Sequence, residues 1–298
     1  MTYFVLLLIV ISFFGANIFQ NRLSGSLEGR IYLSNLFQVV WMFLAAAVFL
    51  VLGAAGNGGL HFSSYTVSMG MLAGVFVLAG GMCLLGAMAV GPLSFTILIF
   101  SMYVIVPAIL SILFLKEEVT VFQIVGMVLI LIVLVISNPV KGKEEMRESR
   151  VWWLLCIGSV LGTGLSNYVM KVHQYHLPGQ QIFEYSISSY IAGIVCAGIL
   201  AGFFYNREKK QAGFVPYRFT WKCFFGPAAG MAVTEGIANV GNLYNASRMP
   251  AIVLYPVSQL GTLMLTVVFG VLVLKEKLTG RSVVCLVLGI AAILCMNF

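Results

Sequence analysis

Apolar residues run through this chain in long, nearly unbroken stretches separated by short polar turns. A helix needs roughly 20 apolar residues to cross a bilayer, and runs of that size recur along the whole chain. They predict ten helical segments, near 2–21, 31–54, 65–88, 92–115, 121–137, 151–172, 181–205, 223–245, 250–274 and 281–298. A closed β-barrel also satisfies every backbone group in lipid, but it would show weak alternating segments of about ten residues. The runs here are continuous and rich in Leu, Val and Ile, so the expected fold class is an all-α polytopic membrane bundle.

Only two connections are long and charged: Asn138 to Arg150, and Asn206 to Lys222. The first divides the segments five and five, giving an expected repeat over 1–137, a linker over 138–150 and a second repeat over 151–298. Internal similarity supports that division. Phe114-Leu115-Lys116-Glu117-Glu118-Val119-Thr120 resembles Val273-Leu274-Lys275-Glu276-Lys277-Leu278-Thr279, each before the last segment of its half. Asn17 near the end of the first segment can be set against Asn167 near the end of the sixth. Five is an odd number, so equivalent segments would run oppositely through the membrane. Such inverted repeats place a binding site near the midplane between the halves and suit alternating access, although a duplication without a transport role would leave the same trace.

Composition narrows the solvent and the partners. Hydrophobic residues make up 60% and charged residues 9%, with a mean hydropathy of +1.01, outside the usage of soluble domains. The net charge of +7 does not point to nucleic acid, because the basic residues are scattered over inter-segment loops and form no stripe. The six cysteines lie in or beside apolar runs without metal-ligand spacing, so neither a disulfide framework, a metal site nor a cofactor is expected. The opening Met1-Thr2-Tyr3 leads directly into an apolar run without preceding basic residues, which favours a retained first span over a cleaved signal. All the basic residues except Lys116, Lys171 and Arg248 fall in loops after odd-numbered segments. The positive-inside rule then makes those loops cytoplasmic and puts both termini outside.

The repeated Leu-Lys-Glu-x-x-Thr ending, with Gly126 and Gly289 in the following segments and Pro107 and Pro256 in the preceding ones, resembles the drug/metabolite transporter superfamily. Within it, the chain is most similar to the ten-helix EamA-like permeases, built as two fused five-helix units. The resemblance covers nearly the whole chain. It implies a multi-pass protein of the bacterial inner membrane that carries a small metabolite. The family carries amino acids, nucleotide sugars, phosphorylated metabolites, choline-like cations and drugs, so it implies no single substrate. This chain departs from the pattern in the second half, where Cys285 stands at the place equivalent to Gly126. The family also usually keeps both termini in the cytoplasm, against the charge distribution here.

Ionisable and polar groups at membrane depth are the natural site candidates. Glu235 lies mid-way along the eighth segment, and Asn239 and Asn242 share its helical face. A desolvated carboxylate there could bind a proton or a cationic group, or be held by neighbouring amides for packing alone. Glu184 opens the seventh segment, where the helix dipole favours a carboxylate whatever its function. Lys171 follows Thr163 and Asn167 at steps of four; it could pair with Glu184, meet an anionic substrate or snorkel to the interface. Asn17, Tyr255 and Gln259 complete the candidate set, with Trp41, Tyr103 and Tyr185 as secondary aromatic candidates. Many such groups only join helices by hydrogen bonds.

The sequence thus points to a secondary transporter, monomeric or homodimeric, for a small organic molecule. A cationic or zwitterionic substrate is favoured, with proton coupling through Glu235 as a further step. The alternative is a lipid-flipping accessory or a membrane enzyme, which would require a lateral opening toward lipid. No nucleotide-binding motif points to a pump, and no catalytic motif points to an enzyme.

Overall fold

The computed structural model describes residues 1–24, 30–55, 59–137, 150–210, 217, 219–273, 275 and 280–296. The described residues form helices joined by short turns, in the order α1 (Thr2–Ser24), α2 (Ile31–Ala55), α3 (Ser64–Val90), α4 (Leu93–Ser101), α5 (Ile105–Leu115), α6 (Val121–Ser137), α7 (Arg150–His176), α8 (Ile182–Glu208), α9 (Gly226–Ala246), α10 (Ala251–Leu272) and α11 (Gly280–Met296). A 3-10 turn, Met102–Val104, joins α4 to α5, so these two make one span and the ten expected segments are all present. Most of the expected linker, 138–149, lies outside the described residues, and Arg150 belongs to α7 instead.

Among the described residues, seven spans are long and apolar enough to cross a membrane on their own, α6 and α11 are shorter apolar helices, and the more polar α9 belongs to neither group. Large apolar side chains such as Phe114, Leu154, Ile199, Val233 and Leu272 are exposed on the bundle surface. Water would not tolerate so extensive an apolar surface, and lipid does.

Local chemistry accounts for the turns. Pro107 offers no N–H to the carbonyl of Tyr103, and its ring crowds that carbonyl, so the span tightens into the 3-10 turn just before it. The repeated motif is a helix stop followed by a helix start. Lys116 ends α5 in the left-handed region, and Thr120 with Gln123 forms a reciprocal capping box at the start of α6. Lys275 takes the same left-handed conformation after α10, whereas residues 274 and 276–279 of the second motif lie outside the described residues.

Packing is mostly between the halves. The α3 helix lies on α7 and α8, α1 on α9 and α10, α2 on α8 and α9, α5 on α7 and α10, and α6 on α11. Glycine permits close approaches: a Cβ on Gly74 of α3 would run into the Ser189 carbonyl oxygen of α8, and one on Gly162 of α7 would stand 2.6 Å from the backbone of Gly80 in α3. Gly126 opens α6 to α11, whereas Gly289 accommodates Met264 of α10, so the two glycines serve different neighbours. Two larger apolar clusters result. One joins α1, α5, α6, α10 and α11; the other joins α2, α8 and α9.

Candidate functional site

The site builds on α9. Val233 and Ile237 of this helix are 59% and 47% exposed and mark its outer face. Glu235 lies two residues from each, which at 3.6 residues per turn directs it to the opposite side, into the bundle. It is enclosed by protein yet keeps part of its side chain accessible. Its carboxylate has no hydrogen-bond or ion-pair partner among the described residues. Its charge acts on two phenols, Tyr103 in the 3-10 turn and Tyr190 in α8.

Those phenols are held in place. Asn239 Nδ2, one turn beyond Glu235, donates to the Tyr190 hydroxyl at 2.7 Å. Tyr103 donates its hydroxyl hydrogen to Gln259 Oε1 of α10 at 3.0 Å. Trp41 of α2 sets its edge against Tyr190 at a centroid distance of 5.6 Å, and its indole N–H is taken up by Gln38 Oε1 at 2.6 Å. Phe49 stacks on the same tyrosine at 5.9 Å. Both tyrosines thus lie within reach of the charge of a carboxylate that no described residue neutralises. An unneutralised carboxylate in a buried setting is a group that a proton or a cation can neutralise.

The break at Met102–Val104 matters for this arrangement. Gly164 of α7 approaches so closely that an added Cβ would lie 2.9 Å from the Tyr103 carbonyl. The proline that loosens the span and the glycine that receives it together position Tyr103.

The other candidates are dispersed. Asn242 is 5% exposed, with its Oδ1 unpartnered, on the α9 face below Asn239. Asn17 lies at an exposed position of α1. Asn167 is half-buried, and its backbone carbonyl accepts the Tyr255 hydroxyl hydrogen at 2.7 Å. Of the secondary candidates, Tyr185 is buried with an unpartnered hydroxyl.

Two readings require correction. Lys171 neither pairs with Glu184 nor snorkels: it is buried and bonded to Glu117 at 2.6 Å. Glu184 instead accepts the backbone N–H of His61 at 2.8 Å, tying the turn before α3 to α8. His173 of the same layer is fully buried, hydrogen-bonded to Thr66 Oγ1 at 2.9 Å and to Gln174 Nε2 at 3.0 Å. Sequence reasoning missed Tyr190 and Gln38. The polar stretch Glu184-Tyr185-Ser186-Ile187-Ser188-Ser189-Tyr190 within an apolar helix was the available cue.

No family model and no curated protein matches the sequence. A solved structure described only as a crystal structure of a protein is similar over 99% of this chain and 95% of its own length, with a TM-score of 0.75 at 12% identity. At that identity the likeness shows a shared fold and nothing of activity.

Proposed function

We propose that this chain is a secondary transporter of the drug/metabolite transporter type, moving a small organic cation or zwitterion across the bacterial inner membrane by alternating access. The observation that carries the reading is Glu235: an inward-facing carboxylate at the middle of α9, inside a bundle of membrane-length helices, with no partner among the described residues and with its charge reaching Tyr103 and Tyr190. An unpaired charge at that depth is costly and is retained where a substrate or proton neutralises it in turn. The proposed substrate-binding set is Glu235, Asn239, Gln259, Tyr103, Tyr190 and Trp41. It draws on α2 and the 3-10 turn from the first half and on α8, α9 and α10 from the second.

The pattern of helix contacts supports two inverted repeats. Exchanging α1 with α7, α3 with α9 and α5 with α10 turns the α3–α7 and α5–α7 contacts into the α9–α1 and α10–α1 contacts, all of which exist. Pro92 and Pro250 precede the fourth span of each half at equivalent places, and Lys116 and Lys275 end those spans in the same conformation. Two such units rocking about the polar layer would expose it to each side alternately.

Thermal-shift screening of the purified protein against amines, amino acids, nucleosides and sugar phosphates, followed by tracer uptake into proteoliposomes, tests the reading. An amine or zwitterion should stabilise the protein by mass action and be transported. Glu235→Gln should abolish both effects and any dependence of uptake on a proton gradient. Stabilisation by sugar phosphates alone, or undiminished pH-dependent uptake by Glu235→Gln, would refute the proposed roles.

One observation favours a second reading. An apolar groove of about 430 Å³ lies between α2 and α9, lined by Val39, Val40, Phe43, Trp221, Phe225 and Ala229. Such an apolar groove on the bundle surface suits a lipid-like substrate held at the bilayer side. Ala229→Leu, which fills the groove, should spare transport of a water-soluble cation and impair that of a lipid-like one.

A further inference from the structure

Lys171 uses all three of its ammonium hydrogens. It contacts Glu117 Oε1 at 2.6 Å and donates to the carbonyl oxygens of Ala246 and Met249 at 2.7 Å each. Glu117 turns its other oxygen to the backbone N–H of Ala251, accepting at 2.8 Å. The pair is almost closed to solvent, with side-chain exposures of 6% and 12%.

These contacts join four elements. Glu117 belongs to the turn between α5 and α6 in the first half, while Lys171 lies in the penultimate turn of α7 in the second. Ala246 is the last residue of α9, and Ala251 is the first of α10. Each charge meets the helix end that suits it: the cation meets carbonyls at a C-terminus, and the carboxylate an N–H at an N-terminus. From Glu235 to Ala246 is eleven residues of α9, about 16 Å along the axis. The network therefore spans the bundle between the polar layer and one membrane face, and Asn242 lies between the two.

We propose that Glu117 and Lys171 form an ionic gate that holds this face of the protein shut and separates when the site opens toward it. The inference rests on the transporter reading above. A buried pair between halves suits a gate because its energy depends on geometry. Intact, every donor and oxygen is satisfied; once the halves part, water replaces each partner, so intermediate separations with buried unpaired charges are disfavoured. The two ends of the motion are then distinct. The carbonyls of Ala246 and Met249 fix the polarity of the gate: they accept from a cation and would repel a carboxylate in its place.

Substituted-cysteine labelling tests the proposal without any substrate. Asn242→Cys, in a background whose six native cysteines are replaced, reports access to the passage between site and gate. Its modification by a membrane-impermeant thiol reagent is measured separately from each face of the membrane. With the gate intact, labelling from the Lys171 face should be slow. Lys171→Met and, independently, the milder Glu117→Gln should raise that rate at least tenfold and lower the rate from the opposite face, while Lys171→Arg should remain near the parent. Should Lys171→Met fail to fold, Glu117→Gln carries the comparison, since its amide still accepts from Ala251. Unchanged labelling from both faces in a folded gate variant would overturn the gate and leave a permanent staple. Absence of uptake by the parent protein would instead count against the transporter reading.

Discussion

Lys116 and Lys275 share a backbone conformation that lysine seldom adopts, with φ of 53° and 56°, at matching places in the two halves. Each ends a long apolar span in the left-handed region, where a Cβ crowds the following carbonyl and only glycine is at ease. Lys116→Gly should therefore raise stability by up to about 1 kcal/mol, and Lys116→Val should lower it by a similar amount. Thermal unfolding in detergent measures both. A glycine variant less stable than the valine variant would mean that the lysine side chain, not the backbone, matters at this turn.

Gly162 and Gly80 bring α7 and α3 into backbone contact, with 2.6 Å between a Cβ added at Gly162 and the neighbouring chain. Gly162→Ala should cost about 1–3 kcal/mol, since neither backbone can yield without moving its helix. Gly81→Ala is the internal control: nothing lies within 4 Å of its added Cβ, so the change should be neutral or slightly stabilising. Equal melting points for the two variants would contradict the packing described.

Glu184 accepts the backbone N–H of His61 at 2.8 Å and thereby ties the turn before α3 to α8. Glu184→Ala should lower stability by about 2 kcal/mol, the scale of a buried hydrogen bond to a charged group. Binding of an amine found by thermal shift should stay within twofold of the parent. A tenfold weaker affinity in titration calorimetry would return Glu184 to the binding set.

Tyr190 gives Asn239 its acceptor and faces the Glu235 charge. Tyr190→Phe keeps the ring but leaves the Asn239 amide unpartnered. The apparent Kd of an amine found by thermal shift should rise five- to tenfold, equivalent to roughly 1–1.4 kcal/mol. Competition against tracer binding reads this directly. An unaltered Kd would remove Tyr190 from the site, whereas Tyr190→Ala should weaken binding further through loss of the ring.

The ten helical segments, their limits to within a few residues, and the face of α9 that carries Glu235 and Asn239 were legible from the sequence alone. Hydrophobic runs of membrane length and the 3.6-residue period are local properties, readable without knowing any neighbour. What the chain could not declare was pairing. Lys171 and Glu184 lie close in sequence and of opposite charge, yet Lys171 bonds Glu117 and Glu184 bonds His61, because α7 meets the α5–α6 turn while α8 meets the start of α3. Tyr190 and Gln38 likewise became site neighbours only once α2 packed on α8. Partner choice depends on which helices meet and at what height. Tertiary packing sets both, through close approaches such as Gly80 with Gly162 that no single segment encodes.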